Sequence, residues 1–214
     1  MMTIIKAILF DMDGVLIDAK EWHYNALNKA LSLFGLEINH YDHCVTYDGL
    51  PTSRKLEILT QERGLPVELH SFINQIKQQY TLDEVYQRCR PVFVHEYALS
   101  KLRKNGMRMA VCSNSIRKTV EIMLEKAMIS HNFDFFLSNQ DIQNPKPDPE
   151  IYITAMKRLG VSPNETLILE DNDYGKKAAI ASGAHLLSID SIEDVTYSRI
   201  IEHINAIQNE SCIC

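Results

Sequence analysis

The sequence lacks a cysteine pattern that would indicate a disulfide framework or a zinc site. Its five cysteines form no CxxC pair and are scattered over positions 44, 89, 112, 212 and 214. An odd number of dispersed cysteines, in a chain without an export signal, is typical of reduced thiols in the cytosol. We interpret Cys212-Ile213-Cys214 as a frayed end of the chain rather than as a site for a soft metal.

Long apolar runs and an excess of basic residues are also missing. No apolar segment approaches the length of a membrane span, and Met1–Lys6 lacks the basic and apolar regions of a signal peptide. The formal net charge is -6, which gives no positive surface for nucleic acid. We therefore expect a cytoplasmic protein with neither a membrane nor a nucleic acid as partner, and a monomer by default.

The chain does have enough apolar residues for a full hydrophobic core, since 45% of its 214 residues are hydrophobic. This length suits one large domain, or a domain that carries a modest insertion. We find no internal repeat and no low-complexity linker that would divide it further.

The most informative segment begins with the apolar run Ile4–Phe10, which is typical of a buried parallel strand. Asp11 and Asp13 follow directly, at the strand end where open α/β sheets bind their ligands. In extended chain, residues i and i+2 point the same way, so both carboxylates can face one small site. Like charges at that distance repel unless a cation or a proton lies between them. The pair therefore predicts a divalent metal site with a carboxylate oxygen left for chemistry.

Strands and helices alternate over the rest of the chain, apart from one helical stretch. This alternation predicts an α/β fold with a doubly wound parallel sheet and right-handed crossovers. The predicted strands are Ile4–Phe10, Met107–Cys112, Phe133–Leu137, Thr166–Leu169 and His185–Ile189, and the predicted helices between them are Val94–Asn105, Ile116–Ala127, Pro149–Leu159 and a short one that ends at Gly183.

The helical stretch lies between Ala19 and Arg90 and contains no convincing strand. Its predicted helices are Trp22–Phe34, one that runs from Thr52 or Ser53, as the N-cap, to Gly64, and one from Pro66 to about Arg90. We predict an α/β catalytic core of residues 1–18 and 91–214, with residues 19–90 as a helical cap. Because the cap follows the first strand, we expect it to lie over the two aspartates as a lid.

Three further polar clusters each follow a predicted strand or its loop. They are Ser113-Asn114, Lys146 within Asn144-Pro145-Lys146-Pro147, and the acidic pair Glu170-Asp171. The carboxyl ends of parallel strands meet at one edge, so these clusters converge with Asp11 and Asp13. Carboxylates, a hydroxyl, an amide and a lysine suit a phosphoryl group held between Mg²⁺ and an ammonium group.

These residues resemble, in order, the four motifs of the haloacid dehalogenase-like hydrolase superfamily, in the branch of phosphoglycolate phosphatases and β-phosphoglucomutases. The motifs are the DxDGxxxD segment of Asp11, Asp13 and Asp18, then Ser113, then Lys146, and finally Glu170-Asp171. Together they span nearly the whole chain.

The resemblance implies a role for each motif residue. Asp11 would attack phosphorus and form an aspartyl-phosphate, and Asp13 would protonate the leaving group and then activate water. Mg²⁺ would be held by Asp11, Glu170, Asp171 and the backbone carbonyl of Asp13. Lys146 would balance charge on the phosphate and the nucleophile, while Ser113 would donate to a phosphoryl oxygen.

Several residues have a second interpretation. Asp18 is better explained as a helix cap or loop anchor than as a catalytic group, and Asn114 either binds substrate or caps the following helix. By resemblance, His23, Gly49 and Arg54 are substrate-binding residues of the cap. His23 could equally be an exposed histidine at a helix start, and the spacing from Gly49 to Arg54 differs from the mutase pattern.

The predicted function is a Mg²⁺-dependent phosphatase that hydrolyses a small phosphorylated metabolite beneath the helical cap. The alternative is a phosphosugar mutase of the β-phosphoglucomutase type, which shares every core residue and differs in how well the cap excludes water. A dehalogenase is disfavoured because that chemistry needs neither a metal nor Asp13, whereas this chain has both Asp13 and the acidic pair. A non-catalytic binding protein is disfavoured because no motif residue is missing.

Overall fold

The computed structural model describes residues 4–210, which form two compact units. One unit is the continuous segment Ala19–Cys89. The other combines the described residues up to Asp18 with those from Arg90 onward, so it is built from two separate pieces of sequence. The Cys212–Cys214 end lies outside the described residues.

The unit Ala19–Cys89 is helical, and none of its residues, all of which are described, lies in a strand. Its buried core includes Leu27 and Leu31 from the first helix, Leu56 and Leu59 from the third, and Ile73 from the fourth. The helices are α1 (Lys20–Ser32), α2 (His40–Asp42), α3 (Thr52–Arg63) and α4 (His70–Arg88), with a π-helical segment at His43–Tyr47 and a 3₁₀ turn at Val67–Leu69.

The predicted N-cap of α3 is wrong by one or two residues. Pro51 occupies the N-cap position, and Thr52 and Ser53 are the first helical residues. Neither hydroxyl is used to cap the helix, because no side chain caps this end. The predicted end is correct: Gly64 takes the left-handed conformation that ends a helix without strain.

The other unit contains a five-stranded parallel sheet in the order β3-β2-β1-β4-β5, so the predicted α/β fold with a parallel sheet is confirmed. β1 is the middle strand, and all four of its residues are fully buried, as expected for a strand covered on both faces. Strand pairing starts at Ala7 and not at Ile4, which is exposed. The strands are β1 (Ala7–Phe10), β2 (Arg108–Cys112), β3 (Phe135–Leu137), β4 (Thr166–Glu170) and β5 (His185–Ser188).

The register of the three inner strands brings their carboxyl ends level. Phe10, the last residue of β1, pairs with Val111 of β2 and with Leu169 of β4. The residues that follow these positions, Asp11, Cys112 and Glu170, therefore lie side by side at the same edge of the sheet.

Helices accompany the sheet, and α7 contributes Tyr152, Ala155 and Leu159 to a core shared with β1 and β2. The last helix was not predicted, although Ile200, Ile204 and Ile207 form its buried stripe. No helix within residues 4–210 has both the length and the apolar character required to cross a bilayer. The helices are α5 (Phe93–Lys104), α6 (Arg117–Lys126), α7 (Glu150–Leu159), α8 (Asp173–Ala181) and α9 (Tyr197–Glu210), with 3₁₀ turns at Ser130–Asn132, Pro163–Glu165 and Ile192–Asp194.

Candidate active site

The side chain of Lys146 lies buried at the sheet edge between the ends of β1, β2 and β4. Its Nζ donates to Asp11 Oδ1 and Glu170 Oε1, both at 2.6 Å, and to the backbone carbonyl of Cys112 at 2.8 Å. An ammonium group has three hydrogens, so these acceptors use all of them. Lys146 is therefore a structural centre of the site and not a solvated loop lysine.

Charge at this edge is unbalanced. Burial by itself would lower the pKa of Lys146, but the adjacent carboxylates of Asp11 and Glu170 raise it above its ordinary value, so the group stays charged. Burial raises the pKa of Asp11, Lys146 opposes that rise, and the carboxylates of Glu170, Asp171 and Asp13 add to it. One ammonium group thus faces several carboxylates, and the excess negative charge favours a bound cation.

Asn114 holds the backbone of Lys146 in place. Its Oδ1 accepts a hydrogen bond from Lys146 N at 3.1 Å, and its Nδ2 donates to Lys146 O at 3.4 Å. The helix that follows, α6, has Ile116 as its N-cap residue, so the alternative interpretation of Asn114 as a helix cap is wrong. The amide instead fixes the loop that presents the lysine.

Glu170 is held from four directions. Its Oε1 accepts from Lys146 and, at 2.5 Å, from the hydroxyl of Tyr152, while its Oε2 accepts from Asp171 N at 3.1 Å and Asn172 N at 3.5 Å. Gly175 leaves the space for this carboxylate, because a Cβ there would lie 1.9 Å from Glu170 Oε1. The sequence indicated neither the hydrogen bond from Tyr152 nor the space left by Gly175. Tyr152 looks like one apolar position of an amphipathic helix.

Carboxylates of Asp11, Glu170 and Asp171 form one cluster, with one oxygen from each lying within 4.8 Å of the others. Both oxygens of Asp171 are shielded from solvent. Hard oxygen donors in such a group fit Mg²⁺, which prefers carboxylates and keeps several waters. Asp11, Glu170 and Asp171 therefore fit that ion by chemistry and proximity, and the backbone carbonyl of Asp13 stays a prediction.

Asp13 and Ser113 lie at the same edge. Asp13 is half-buried, and its Oδ2 accepts a hydrogen bond at 2.9 Å from the hydroxyl of Ser115, a residue that the sequence did not single out. Ser113 is fully buried, and its Oγ accepts from Ser115 N at 3.0 Å. Asp18 is exposed and does not cap α1, whose N-cap residue is Ala19.

The remaining predicted site residues, His23, Gly49 and Arg54, belong to the helical unit. His23 Nδ1 lies 3.0 Å from Nζ of Lys77, a residue that the sequence did not indicate. Arg54 is exposed and pairs with Glu57 Oε2 at 2.6 Å, within its own helix. Their role toward a substrate stays a prediction.

The order of the parallel sheet and the converging acidic and lysine side chains suit an α/β enzyme that acts on phosphoryl groups. Residues 8–189 match the family model described as haloacid dehalogenase-like hydrolase, and the chain belongs to this family. It is 26% identical over 213 residues to a phosphoglycolate phosphatase of Aquifex aeolicus, covering 96% of this chain and 98% of that one. It is 25% identical over 183 residues to a fructose-1-phosphate phosphatase of Escherichia coli, covering 85% and 95%.

Solved structures show the same fold. A β-phosphoglucomutase from Clostridium difficile superposes with a TM-score of 0.83 at 23% identity, covering 99% of this chain and 100% of that one. The predicted superfamily is thus confirmed, and so is an enzyme of the haloacid dehalogenase-like phosphatase kind.

Proposed function

We propose that the protein is a Mg²⁺-dependent phosphatase that hydrolyses a small phosphorylated metabolite through an aspartyl-phosphate. The observation that carries this proposal is the contact between Asp11 and Lys146 at the carboxyl end of the middle strand, beside the acidic cluster. A buried carboxylate beside a charged ammonium group is suited to attack a phosphoryl group. The ammonium group balances the negative charge that the carboxylate and the phosphoryl oxygens bring together.

In the first step, a carboxylate oxygen of Asp11 bonds to phosphorus while the bond from phosphorus to the leaving oxygen breaks. Asp13, as a carboxylic acid, gives its proton to that leaving oxygen and becomes a carboxylate. Asp13 then takes a proton from water, and the hydroxide oxygen attacks phosphorus and releases inorganic phosphate from Asp11. This order restores both aspartates.

Other residues bind and orient the phosphoryl group. Ser113 Oγ accepts from Ser115 N, so its hydroxyl hydrogen can donate to a phosphoryl oxygen. Lys146 contributes its charge from a position fixed by Asn114 and Glu170. Asp11, Asp171, Glu170 and the backbone carbonyl of Asp13 would hold Mg²⁺, which offsets the repulsion between carboxylate and phosphoryl oxygens.

The substrate class follows from the relatives and not from the site. Relatives that cover most of the chain include enzymes named for phosphoglycolate, fructose 1-phosphate and phosphorylated carbohydrates, and others named pyrophosphatases. We propose a small polar phosphate ester of this kind. We also propose that residues 19–90 act as the cap, with His23, Gly49 and Arg54 as substrate contacts and Lys77 supporting His23.

A panel of phosphate esters tests the proposal. We expect phosphate release in Mg²⁺ from at least one sugar phosphate or small organic phosphate, and little from nucleotides. Absence of release from every ester, by a folded protein at saturating Mg²⁺, would contradict a phosphatase function.

The second candidate, a phosphosugar mutase, is favoured only by the fold it shares with β-phosphoglucomutase. It predicts conversion of β-glucose 1-phosphate to glucose 6-phosphate instead of release of phosphate.

A further inference from the structure

Ser115 lies three residues after β2, and its hydroxyl bridges to the loop that follows β1. Its Oγ donates to Asp13 Oδ2 at 2.9 Å. The two loops start level, because Phe10 and Val111 are paired in the register of β1 and β2. This hydrogen bond therefore joins the loop after β1, which carries the proposed proton donor Asp13, to the loop after β2.

The backbone of Ser115 is fixed on both sides. Its N–H donates to Ser113 Oγ at 3.0 Å, and its carbonyl accepts from Asn139 N at 3.1 Å. Ser113 is in turn anchored by a hydrogen bond from its own N to the carbonyl of Leu137 at 3.0 Å. A hydroxyl on so constrained a backbone has a defined position, and it has one hydrogen to donate.

We propose that Ser115 is a positioning residue that orients the carboxyl group of Asp13 for proton transfer. The torsion that turns an aspartate carboxyl group is broad, so hydrogen bonds from neighbouring groups fix its plane. The hydroxyl of Ser115 supplies one such bond to the half-buried Asp13 and keeps its own proton throughout. When Asp13 passes its proton to the leaving oxygen, the acceptor becomes a carboxylate and the hydrogen bond from Ser115 strengthens. Ser115 thus favours the transition state over the ground state.

This inference rests on the proposed function, and leaving-group dependence separates it from other roles of Ser115. An alkyl phosphate expels a strongly basic alkoxide that needs a proton, whereas 2,4-dinitrophenyl phosphate expels a stable phenolate that does not. A residue that orients the proton donor matters only for the first ester. A residue that binds the phosphoryl group itself matters equally for both.

The experiment measures kcat/KM of Ser115→Ala, Ser115→Thr and wild type with both esters in Mg²⁺. We expect Ser115→Ala to lower kcat/KM by about 10- to 100-fold for the alkyl phosphate, and by less than about 3-fold for the dinitrophenyl ester. Ser115→Thr keeps a hydroxyl and should recover the alkyl phosphate to within a few-fold. In an Asp13→Ala background, Ser115→Ala should have no further effect, because the group that it orients is gone.

The matched control is Ser138→Ala. Ser138 is also buried at this edge, and its hydroxyl donates at 2.6 Å to Asp141, an aspartate outside the proposed machinery. We expect Ser138→Ala to change kcat/KM by the same factor for both esters.

Equal losses for both esters in Ser115→Ala would overturn the inference in favour of phosphoryl binding. Unchanged kinetics would overturn it in favour of packing. The alkyl phosphate is an ester that the panel above shows to be a substrate, so a wild-type protein that releases phosphate from no ester of that panel would instead overturn the proposed function, and the inference with it.

Discussion

Asp11 is the residue on which the proposed covalent mechanism depends. Asp11→Asn keeps the shape of the side chain and removes the nucleophilic oxygen anion, so we expect kcat to fall by at least about 10³-fold. The carboxamide can still accept a hydrogen bond from Lys146, so the fold should persist. Phosphate release and a far-ultraviolet circular dichroism spectrum measure the two effects.

Asp173→Asn is the control for that substitution. Asp173 is exposed in the first turn of α8, close in sequence to the acidic pair, and has no proposed role. We expect wild-type kcat. If Asp11→Asn retained a tenth of wild-type kcat, attack by this carboxylate would be excluded.

The acidic cluster leads to a prediction about binding that does not depend on turnover. A ligand that binds only the folded protein raises Tm. We expect Mg²⁺ to raise Tm, Asp171→Asn to abolish most of that rise, and Asp173→Asn to leave it intact. A Mg²⁺ shift in Tm that survives in Asp171→Asn would place the ion elsewhere.

The same ion should also be needed for turnover. EDTA should stop phosphate release, and Mg²⁺ should restore it better than Ca²⁺, whose coordination is larger and less regular.

Among the elements, α8 must approach Glu170 so closely that one of its positions has room for glycine alone. In Gly175→Ala the new Cβ would displace the Glu170 carboxylate, and with it one of the acceptors that fix Lys146. We expect kcat to fall about 10- to 100-fold. The free energy of unfolding should fall by at most about 2 kcal/mol, since overpacking is partly offset by the better helix propensity of alanine.

Gly160→Ala is the control that separates a loss of kcat from a loss of stability. Gly160 ends α7 with φ +67, and a Cβ added there would have no neighbouring atom within 4 Å, so alanine strains only the backbone. We expect a loss of about 1 kcal/mol in the free energy of unfolding and a wild-type kcat. Equal kcat in the two variants would show that Glu170 does not need its present position.

The π-helical segment of the helical unit carries a prediction about pH. His43 is buried, and its Nδ1 has no hydrogen-bond partner within the part of the chain that the structure describes. Burial, then the charge of Lys55, lowers the pKa of His43 from 6.5 to about 4, with Asp48 and Glu21 opposing the change and His40 adding to it. The unfolded chain therefore binds more protons than the folded one between these two values. The contribution of His43 to stability is complete above pH 6.5 and is lost as pH is lowered toward 4.

The measurement is urea unfolding at about pH 7.5 and about pH 5, followed by the fluorescence of Trp22, the chain's one tryptophan, which is buried in α1 of the same unit. We expect His43 to account for a loss of about 2 kcal/mol at the lower pH. His43→Phe keeps an aromatic ring without the titrating nitrogen, and should reduce the pH dependence by that amount. The same pH dependence in wild type and variant would assign it to other groups.

Elements marked by local sequence signals could be predicted, while those that depend on distant contacts could not. Apolar runs and terminal glycines located the strands of the sheet, and Gly64 and Gly160 ended the predicted helices. The π-helical segment has no such signal, and α9 was overlooked although its isoleucines repeat at helical spacing. Thr52 looked like a cap, but Pro51 fixes the backbone one residue earlier.

The same distinction holds within the site. Motif order indicated Asp11, Lys146 and Glu170, because polar residues at the carboxyl ends of parallel strands, and in the loops beyond them, converge at one edge of the sheet. The contacts of Tyr152 with Glu170 and of Ser115 with Asp13 join residues 18 and 102 positions apart. Only the folded arrangement of α7 and the strand loops brings these pairs together.

For the whole molecule, the outcome with β-glucose 1-phosphate separates the two proposed reactions. We expect inorganic phosphate without accumulation of glucose 6-phosphate, measured by ³¹P NMR. A mutase returns the phosphoryl group to the sugar, whereas a phosphatase passes it to water, so the product identifies the reaction. Glucose 6-phosphate as the main product would establish the mutase reaction.

The middle position of β1 in the sheet has a consequence for synthesis on the ribosome. Phe10 is made early, but its partners Val111 and Leu169 follow 101 and 159 residues later. At about 5–20 residues per second, the second partner emerges roughly 8–30 s after the strand itself. The segment Ala19–Cys89 is complete long before then. One side of the apolar strand β1 can pair once β2 has been made, but its other side must wait for β4, and nascent chains should depend on chaperones until then.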